Sequence, residues 1–471
     1  MKVLFAYPPT GLINREDRCQ VPTGKVPIAP TLPPTDLLYM AASAEAAGAE
    51  CQVLDCPASR LDMAAFTAIL REYKPDLLVL STTTPTLLAD LTVCREAKKA
   101  LPGLTIIAKG AHFLVFDREV LRAHPEVDIL LRSEPEPLIK RIVSGESLET
   151  VHGITWRRGE EVLRNDDAPF QSDLDALAFP ARHLIDNRRY VRPDKGRPQG
   201  IIKCSRGCPY NCFFCLATPV SGRKVRMRSP ENILDEVRHC LRTYGIEDFI
   251  FWSDVFNFDD GWVRRLCQAI RASGLRFTWA SNMRADNINQ GTLTLMKEAG
   301  CSLISLGIES GSQEILDKIG KKVSVEQIRD SVRLIRGTGI ASFAYYMTGL
   351  PWETTGTAEQ TMRLARDLRT DFANFFVATP FPGTAFFRYA VENGLFGTKD
   401  PADSCLFEYA YGSAVVKGHT LTRQEIDGLH HKAVRKYYLR PGYILNRLSK
   451  VRSMNELAAY ARAAVSLGTS R

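Results

Sequence analysis

The sequence predicts an α/β protein: an N-terminal doubly wound parallel sheet, six further β/α units, and a helical C-terminal tail. Three observations predict it. Short apolar runs alternate with segments of helical period from Lys2 to Leu131, the pattern of a parallel sheet covered on both faces. The same alternation returns at Ile201 and runs to Ala378. The composition is that of a globular chain: 471 residues, 45% hydrophobic and 24% charged. At roughly 150 residues per domain this suggests about three domains. It excludes a disordered or collagen-like chain, and a core of this size needs no disulfides.

In the first segment, the apolar run Lys2–Tyr7 reads as a strand. Residues 35–48 carry Leu37, Leu38, Met40, Ala41 and Ala44 at helical spacing and stop at Gly48. Strands follow at 50–54, 76–81, 105–108 and 127–131, with helices at 64–73, 87–101 and 116–123. Ligands of such sheets sit at the carboxyl ends of the strands. Here those ends are Tyr7-Pro8-Pro9, Asp55-Cys56-Pro57, Ser81 to Thr84, Gly110-Ala111-His112 and Glu134-Pro135-Glu136. His112, on a glycine loop, reads as a hydrogen-bonded loop residue rather than a ligand. Residues 150–196 read as a connector with a small hairpin around Gly159-Glu160.

The second segment begins with the strand at Ile201. Further strands at 248–252, 276–280, 302–307, 340–347 and 371–378 alternate with helices at 232–244, 261–272, 290–299, 325–338 and 357–368. Ser229, Pro230 and Glu231 supply an N-cap, a first-turn proline and a first-turn acid for one of these helices. Polar residues gather after the strands: Ser253 and Asp254, Arg284, Glu309 and Ser310, and the turn Gly349-Leu350-Pro351. The tail reads as mostly helical. Its segment with Cys405, Glu408 and Tyr409 is a candidate cap on the barrel mouth, and its basic run 447–452 reads as a solvated face.

No apolar run approaches the roughly 20 residues of a bilayer span. The apolar stretch before Pro8-Pro9 is too short for a secretion signal, so the expected compartment is the cytoplasm. The net charge of +8 is too small and dispersed for a nucleic-acid partner and suits an anionic small molecule.

Twelve cysteines carry more information. Eight are scattered and read as buried apolar side chains. The other four, Cys204, Cys208, Cys212 and Cys215, fall within twelve residues, which in a reducing compartment marks a metal or redox site. Cys208, Cys212 and Cys215 form CxxxCxxC. Three thiolates on one loop suit three irons of a [4Fe–4S] cluster and leave the fourth iron without a protein ligand. Zinc prefers four closed ligands, and no second CxxC follows at the required distance. Cys204 reads as a bystander.

The CxxxCxxC spacing, with its lead-in Ser205-Arg206-Gly207-Cys208-Pro209-Tyr210 and the aromatic Phe214, resembles the radical S-adenosylmethionine (SAM) enzymes. The resemblance implies an open, six-unit partial (β/α) barrel. It also implies that the methionine moiety of SAM chelates the free iron and that an electron from the cluster breaks a carbon–sulfur bond homolytically. It places Phe214 against adenine, Ser253 and Asp254 at the methionine amino group, Arg284 at the methionine carboxylate or an anionic substrate, and Glu309 and Ser310 at the ribose or methionine. It implies a small-molecule substrate and an electron donor such as flavodoxin or ferredoxin.

The first segment is similar to the cobalamin-binding, Rossmann-like domain that precedes many such barrels. The likeness rests on Tyr7-Pro8-Pro9, Lys74-Pro75-Asp76, the hydroxyl-rich Ser81 to Thr84, Gly110-Ala111-His112, and Val127-Asp128 before Glu134-Pro135-Glu136. Where that domain usually carries Asp-x-His-x-x-Gly, this chain has Asp55-Cys56-Pro57-Ala58-Ser59, so no histidine of this loop can ligate cobalt. Some relatives, such as the anaerobic magnesium-protoporphyrin cyclases, also lack it. Two readings stay open: a cobalamin domain without that ligand, and a scaffold packed over the barrel. The expected domains are 1–150 cobalamin-binding-like, 151–196 linker, 197–385 radical SAM barrel and 386–471 helical tail. The expected reaction is SAM-dependent modification of a small molecule, by C-methylation or oxidative cyclisation if cobalamin binds. The alternative is cobalamin-independent transfer of the 3-amino-3-carboxypropyl group to trivalent arsenic, as in arsinothricin synthase. For that reading, spare cysteines such as Cys56, at a strand end facing the barrel, would suit a thiophilic substrate.

Overall fold

Five of the six residues of β1 (Lys2–Tyr7) are buried, because this strand has neighbours on both edges and helices on both faces. The computed structural model describes residues 1–16, 19–22, 31–192, 195–397 and 413–449, with 451 and 457 besides. β2 (Glu50–Asp55), β3 (Leu77–Ser81), β4 (Thr105–Lys109) and β5 (Ile129–Leu131) join β1 in parallel. The order is β2-β1-β3-β4-β5, so the chain reverses its direction of winding between β1 and β3. Two apolar cores flank this sheet. Val3, Phe5 and Val79 face one; Leu4, Leu78 and Leu80 face the other.

The hairpin of the connector does more than link. Its strands, β6 (Ile154–Arg158) and β7 (Glu161–Arg164), pair antiparallel with β5 and with each other, extending the front sheet to seven strands. Ile154 and Trp156 are buried there, which fixes the register. The helix at 116–123 starts earlier than its periodicity suggests, at Phe113, and is kinked at Phe116.

β8 (Arg197–Lys203), β9 (Asp248–Trp252), β10 (Thr278–Met283), β11 (Cys301–Glu309), β12 (Ala341–Thr348) and β13 (Phe372–Val377) pair in parallel in chain order. Val191–Arg192 adds a short antiparallel edge beside β8. Helices between the strands cover the outer face through one continuous core. Ser229 caps Pro230–Tyr244 by accepting from the Asn232 amide, as its sequence signature predicts. Behind that helix start, Glu236 is wholly buried between Arg182 at 2.6 Å and Arg228 at 2.5 Å. The tail contributes Ala385–Glu392, Arg423–Tyr438 and Pro441–Leu448. Cys405, Glu408 and Tyr409 lie outside the described residues.

Charged residues join the two sheets. Arg206 donates to Glu136 at 2.5 and 3.1 Å and lies 3.3 Å from Glu134. Arg226 donates to both oxygens of Glu134 at 2.9 Å. All four side chains are nearly buried. The seam ties the end of β5 to the segments that flank the cysteine loop. Among the described residues no helix is long and apolar enough to cross a membrane.

Candidate functional site

The cysteine loop follows β8 at the carboxyl ends of the barrel strands, where barrels of this kind carry their chemistry. Gly207 opens it with a φ of +94°, and a Cβ there would fall 2.1 Å from the Lys224 carbonyl oxygen, so only glycine fits. Its amide donates to Asp254 Oδ2 at 2.6 Å. The loop closes by further bonds: Cys208 N–H to the Gly222 carbonyl at 3.0 Å, Cys215 N–H to the Cys212 carbonyl at 3.0 Å, and Thr218 Oγ1 to the Tyr210 carbonyl at 3.1 Å. Cys208 is 8% exposed, and Cys212 and Cys215 are half-buried. Cys208 and Cys215 share a small apolar cluster with Tyr210, Ala217 and Val255. The Ala217 amide donates to Cys215 Sγ at 3.4 Å.

All three are thiols outside any disulfide. Among the described residues no group of His, Cys, Asp or Glu closes on a single metal ion. A [4Fe–4S] cluster asks for something different, one thiolate per iron from a shared rim. The three thiols of one loop, one buried and two half-buried, fit that donor set. Cys204 is fully buried in the barrel core, and burial pushes its thiol well up, in keeping with a bystander.

The residues expected to surround SAM gather at neighbouring strand ends, but in different states. Ser253 is fully buried, and its hydroxyl has no hydrogen-bond partner. That orphan fits a bound ligand's polar group. Asp254 lines the space between the two sheets while holding the Gly207 amide, so its carboxylate also shapes the loop. Arg284 is already engaged: with Asp286 at 2.7 Å, with the Lys321 carbonyl at 2.6 Å, and over the Tyr210 ring at 3.6 Å. Glu309 sits at φ +67° and binds Lys321 Nζ at 2.8 Å. Ser310 is turned outward from this group, with its hydroxyl 3.2 Å from Thr361 Oγ1. Phe214 is half-buried at the edge of the barrel core.

Lys321 is the residue the sequence does not announce. It follows a short helix, Gln313–Lys318, with no motif around it. The Phe213 amide bonds the Ile319 carbonyl at 3.0 Å and so docks the cysteine loop on this segment. Burial alone would lower the Lys321 ammonium, but Glu309, and next the nearby Cys212, hold it above its ordinary value. Arg284 and Lys321 are linked directly, since Arg284 donates to the Lys321 carbonyl.

The turn after β12 has a similar device. Gly349 takes φ +91°, and its amide donates to Glu353 Oε2 at 2.6 Å. Burial pushes the Glu353 carboxyl up to about 7, and the Gly349 amide offsets only part of that rise. A carboxyl raised in the folded state binds its proton more tightly there than in the unfolded chain. Its contribution is therefore complete below the ordinary glutamate range and is lost as pH rises towards 7. Glu353→Gln keeps the acceptor for Gly349 and removes the titration. Thermal melts between pH 5 and 8 should show a flatter profile for the variant, with a gain on the order of 1 kcal/mol at pH 8.

Opposite the barrel mouth, the front sheet presents its own strand ends. Between them lies a cleft of about 100 Å³ lined by Asp36, Lys109, Gly110, Glu136, Lys203 and Asp254, among others. It opens at the carboxyl ends of β4 and β5, the side of such sheets on which ligands bind. Asp36 accepts from Lys109 Nζ and Ser81 Oγ at 2.8 Å. Its carboxyl would be raised by burial, but Lys109 and Lys203 hold it well below the carboxylate range. The Asp55 loop is closed off. Asp55 accepts from the Ala58 amide at 3.0 Å and from Tyr190 OH at 3.1 Å, and burial raises its carboxyl to about 6. His112 is buried against Phe116, with ring centroids 5.3 Å apart. Cys56 does not face the barrel as expected. It is fully buried among Leu4, Ala6 and Leu78, because the Asp55 cap turns the chain into a short helix that carries the thiol into the core.

Comparison with known proteins bears on both halves. Residues 202–365 match the model of the radical SAM superfamily, and residues 25–141 match that of the B12 binding domain. An uncharacterized methyltransferase of Pyrococcus horikoshii is 28% identical over 94% of each chain. The anaerobic magnesium-protoporphyrin IX monomethyl ester cyclase of Cereibacter sphaeroides is 26% identical over 93% of this chain and 71% of its own. Among solved structures, the radical SAM methyltransferase TsrM of Kitasatospora setae, with cobalamin and a [4Fe–4S] cluster bound, superimposes with a TM-score of 0.70 at 17% identity. That match covers 94% of this chain and 89% of TsrM. The cysteine loop and the strand-end polar groups thus fall inside the first matched region and β2 to β5 of the front sheet inside the second, and the chain is a radical SAM enzyme, with the [4Fe–4S] cluster and SAM of that superfamily, behind a B12 binding domain.

Proposed function

We propose that this enzyme is a cobalamin-dependent methylase that places a methyl group on carbon of a small organic substrate. The observation that carries the reading is the cleft between the carboxyl ends of the two sheets, with Asp36, Lys109 and Gly110 on one side and Lys203 and Asp254 on the other. A cofactor seated there lies between the front sheet and the SAM site. A cobalamin held there would take no histidine from the Asp55 loop, since that loop carries none and is closed by Tyr190. The names of the methyltransferase and cyclase relatives support the same class of chemistry.

When bound, the cluster supplies the electron that cleaves SAM and cobalamin supplies the methyl group. The chain's own residues hold and orient. Cys208, Cys212 and Cys215 carry the cluster. The orphan Ser253 hydroxyl, Asp254 and the half-buried Phe214 meet SAM at its methionine and adenine ends. Glu309, held by Lys321, faces the same site, and Ser310 supports the turn that Glu309 begins. Arg284, pinned by Asp286, acts as a fixed positive charge beside Tyr210. An electron donor of the flavodoxin or ferredoxin class would supply that electron.

The test is anaerobic reconstitution followed by product analysis. The expected holoenzyme holds about four irons per chain and one cobalamin with its visible spectrum. With reductant and substrate it yields 5′-deoxyadenosine and S-adenosylhomocysteine. 5′-Methylthioadenosine in their place would mean aminocarboxypropyl transfer and would sink the reading. A product with a new ring and no added methyl would mean cyclisation. Cys56 lies in the front core and offers no exposed thiol to an arsenic substrate.

A further inference from the structure

The fold keeps Ser205 in an unfavourable state. The residue is 3% exposed, and its hydroxyl has no hydrogen-bond partner among the described residues. A hydroxyl buried in that state destabilises the fold, and a bound group is what would satisfy it. The backbone on either side is fixed. The Cys204 amide bonds the Trp252 carbonyl at 2.8 Å, the Arg228 amide bonds the Cys204 carbonyl at 2.9 Å, and the Gly207 amide bonds Asp254 at 2.6 Å. Held this way, Ser205 lines the cleft between the two sheets, on its barrel side.

That cleft is small, mixed and balanced in charge. Its volume, about 100 Å³, is below the roughly 300–1,000 Å³ of a pocket that encloses a whole small molecule. It therefore admits a side group while the body of the ligand stays outside. Leu114, Leu131, Val220 and Trp252 supply apolar walls. The charged residues of the lining are four acids (Asp36, Glu134, Glu136 and Asp254) and four bases (Lys109, Arg132, Lys203 and Arg206). Most pair directly: Asp36 with Lys109 at 2.8 Å, Glu136 with Arg206 at 2.5 Å, Glu134 with Arg226 at 2.9 Å, and Arg132 with Asp117 at 3.3 Å. An entering ion would find no countercharge of its own, so the cleft favours a neutral polar group.

A carboxamide is neutral and both donates and accepts, as a hydroxyl does. The rim of a corrin ring is set with carboxamide arms and methyl groups, which match the orphan hydroxyl and the apolar walls. We infer that one carboxamide arm of the corrin rim enters this cleft and is held by the Ser205 hydroxyl, so that the barrel, and not the front domain alone, binds the cofactor. The inference deepens the methylase reading by giving its cofactor a specific contact, and rests on that reading for cobalamin itself.

The test is equilibrium dialysis of the cluster-loaded enzyme, anaerobically and without SAM or reductant, against two corrinoids. Hydroxocobalamin is one; cobinamide, which keeps the amide arms and lacks the nucleotide, is the other. Ser205→Ala is expected to weaken both by up to about tenfold, the scale of one hydrogen bond, and Ser205→Thr, which restores the hydroxyl, to recover part of the loss. Iron content and SAM affinity should stay at wild-type values. Without any corrinoid, Ser205→Ala should melt no lower than wild type, because it removes a buried hydroxyl that has no partner; a structural role for that hydroxyl would lower the melting temperature and overturn the inference. So would a loss seen with hydroxocobalamin but not with cobinamide, which would place the contact on the nucleotide, or a fall in SAM affinity with corrinoid binding intact. Equal uptake by wild type and Ser205→Ala refutes the inference alone, whereas a wild-type enzyme that takes up neither corrinoid refutes the methylase reading and the inference with it.

Discussion

Replacing Cys208, Cys212 or Cys215 by alanine should remove the cluster and all SAM cleavage, with iron falling from about four per chain to near zero. Each thiol of such a loop serves a different iron, so no neighbour substitutes for the one lost. Backbone bonds set the geometry: Cys208 N–H to Gly222, Cys215 N–H to Cys212, and Phe213 N–H to Ile319. They survive the substitution, so the fold should persist while the metal is lost. Circular dichroism together with iron and sulfide analysis separates the two. Cys204→Ala is the control. Its sulfur is buried in the barrel core, so the variant should keep its iron and lose only packing energy, on the order of 1 kcal/mol for one small buried group. Full turnover by any of the three loop variants, or loss of the cluster in the control, would contradict the assignment.

The strands were readable because every central strand is a continuous or alternating apolar run closed by a turn signal. Helix starts were readable where caps are local, as at Ser229. The readings that failed depend on contacts between distant residues. The hairpin at 154–164 looks self-sufficient in sequence, and only Ile154 and Trp156 packing against β5 brings it into the front sheet. Cys56 sits at a strand end, where ligands are expected. The Asp55 cap three residues before Ala58 is a local signal that the chain turns inward there. In the candidate site the cysteines are marked by spacing, and the strand-end residues by position in the β/α order. Lys321 has neither, because its role comes from Glu309, twelve residues earlier, and from the docked cysteine loop. Arg284 was visible as a strand-end cation, but its pairing with Asp286 and Tyr210 was not.

The seam between the sheets was equally hidden, since its partners lie 70 to 92 residues apart, and it yields the second large effect. Glu134 accepts from Arg226 twice and from the Gln171 amide at 2.7 Å, and lies in an ion pair with Arg206. Glu134→Gln leaves two nearly buried guanidinium groups short of countercharge, and breaking a buried pair from one side costs about 3–5 kcal/mol. The cost should fall on docking of the front domain, because Glu134 belongs to its β5 end and Arg226 to the barrel. Urea titration should show the loss at pH 7, and limited proteolysis should cut first in the connector. Cobalamin retention should drop while iron content holds, since the cleft is lined by Glu134, Glu136 and Arg206 but the cysteine loop keeps its own bonds. Acid should reproduce part of this. Burial would raise the Glu136 carboxyl, yet Arg206 holds it below its ordinary value. A lowered carboxyl stabilises the fold above its unfolded range, about pH 4.3, and that stability is lost as pH falls through the folded value. The double variant Glu134→Gln/Arg226→Gln distinguishes the origin of the cost. If most of it is an orphaned charge, the pair should recover part of the loss, whereas additive losses, or a single variant as stable as wild type, would show that the seam does not hold the two sheets together.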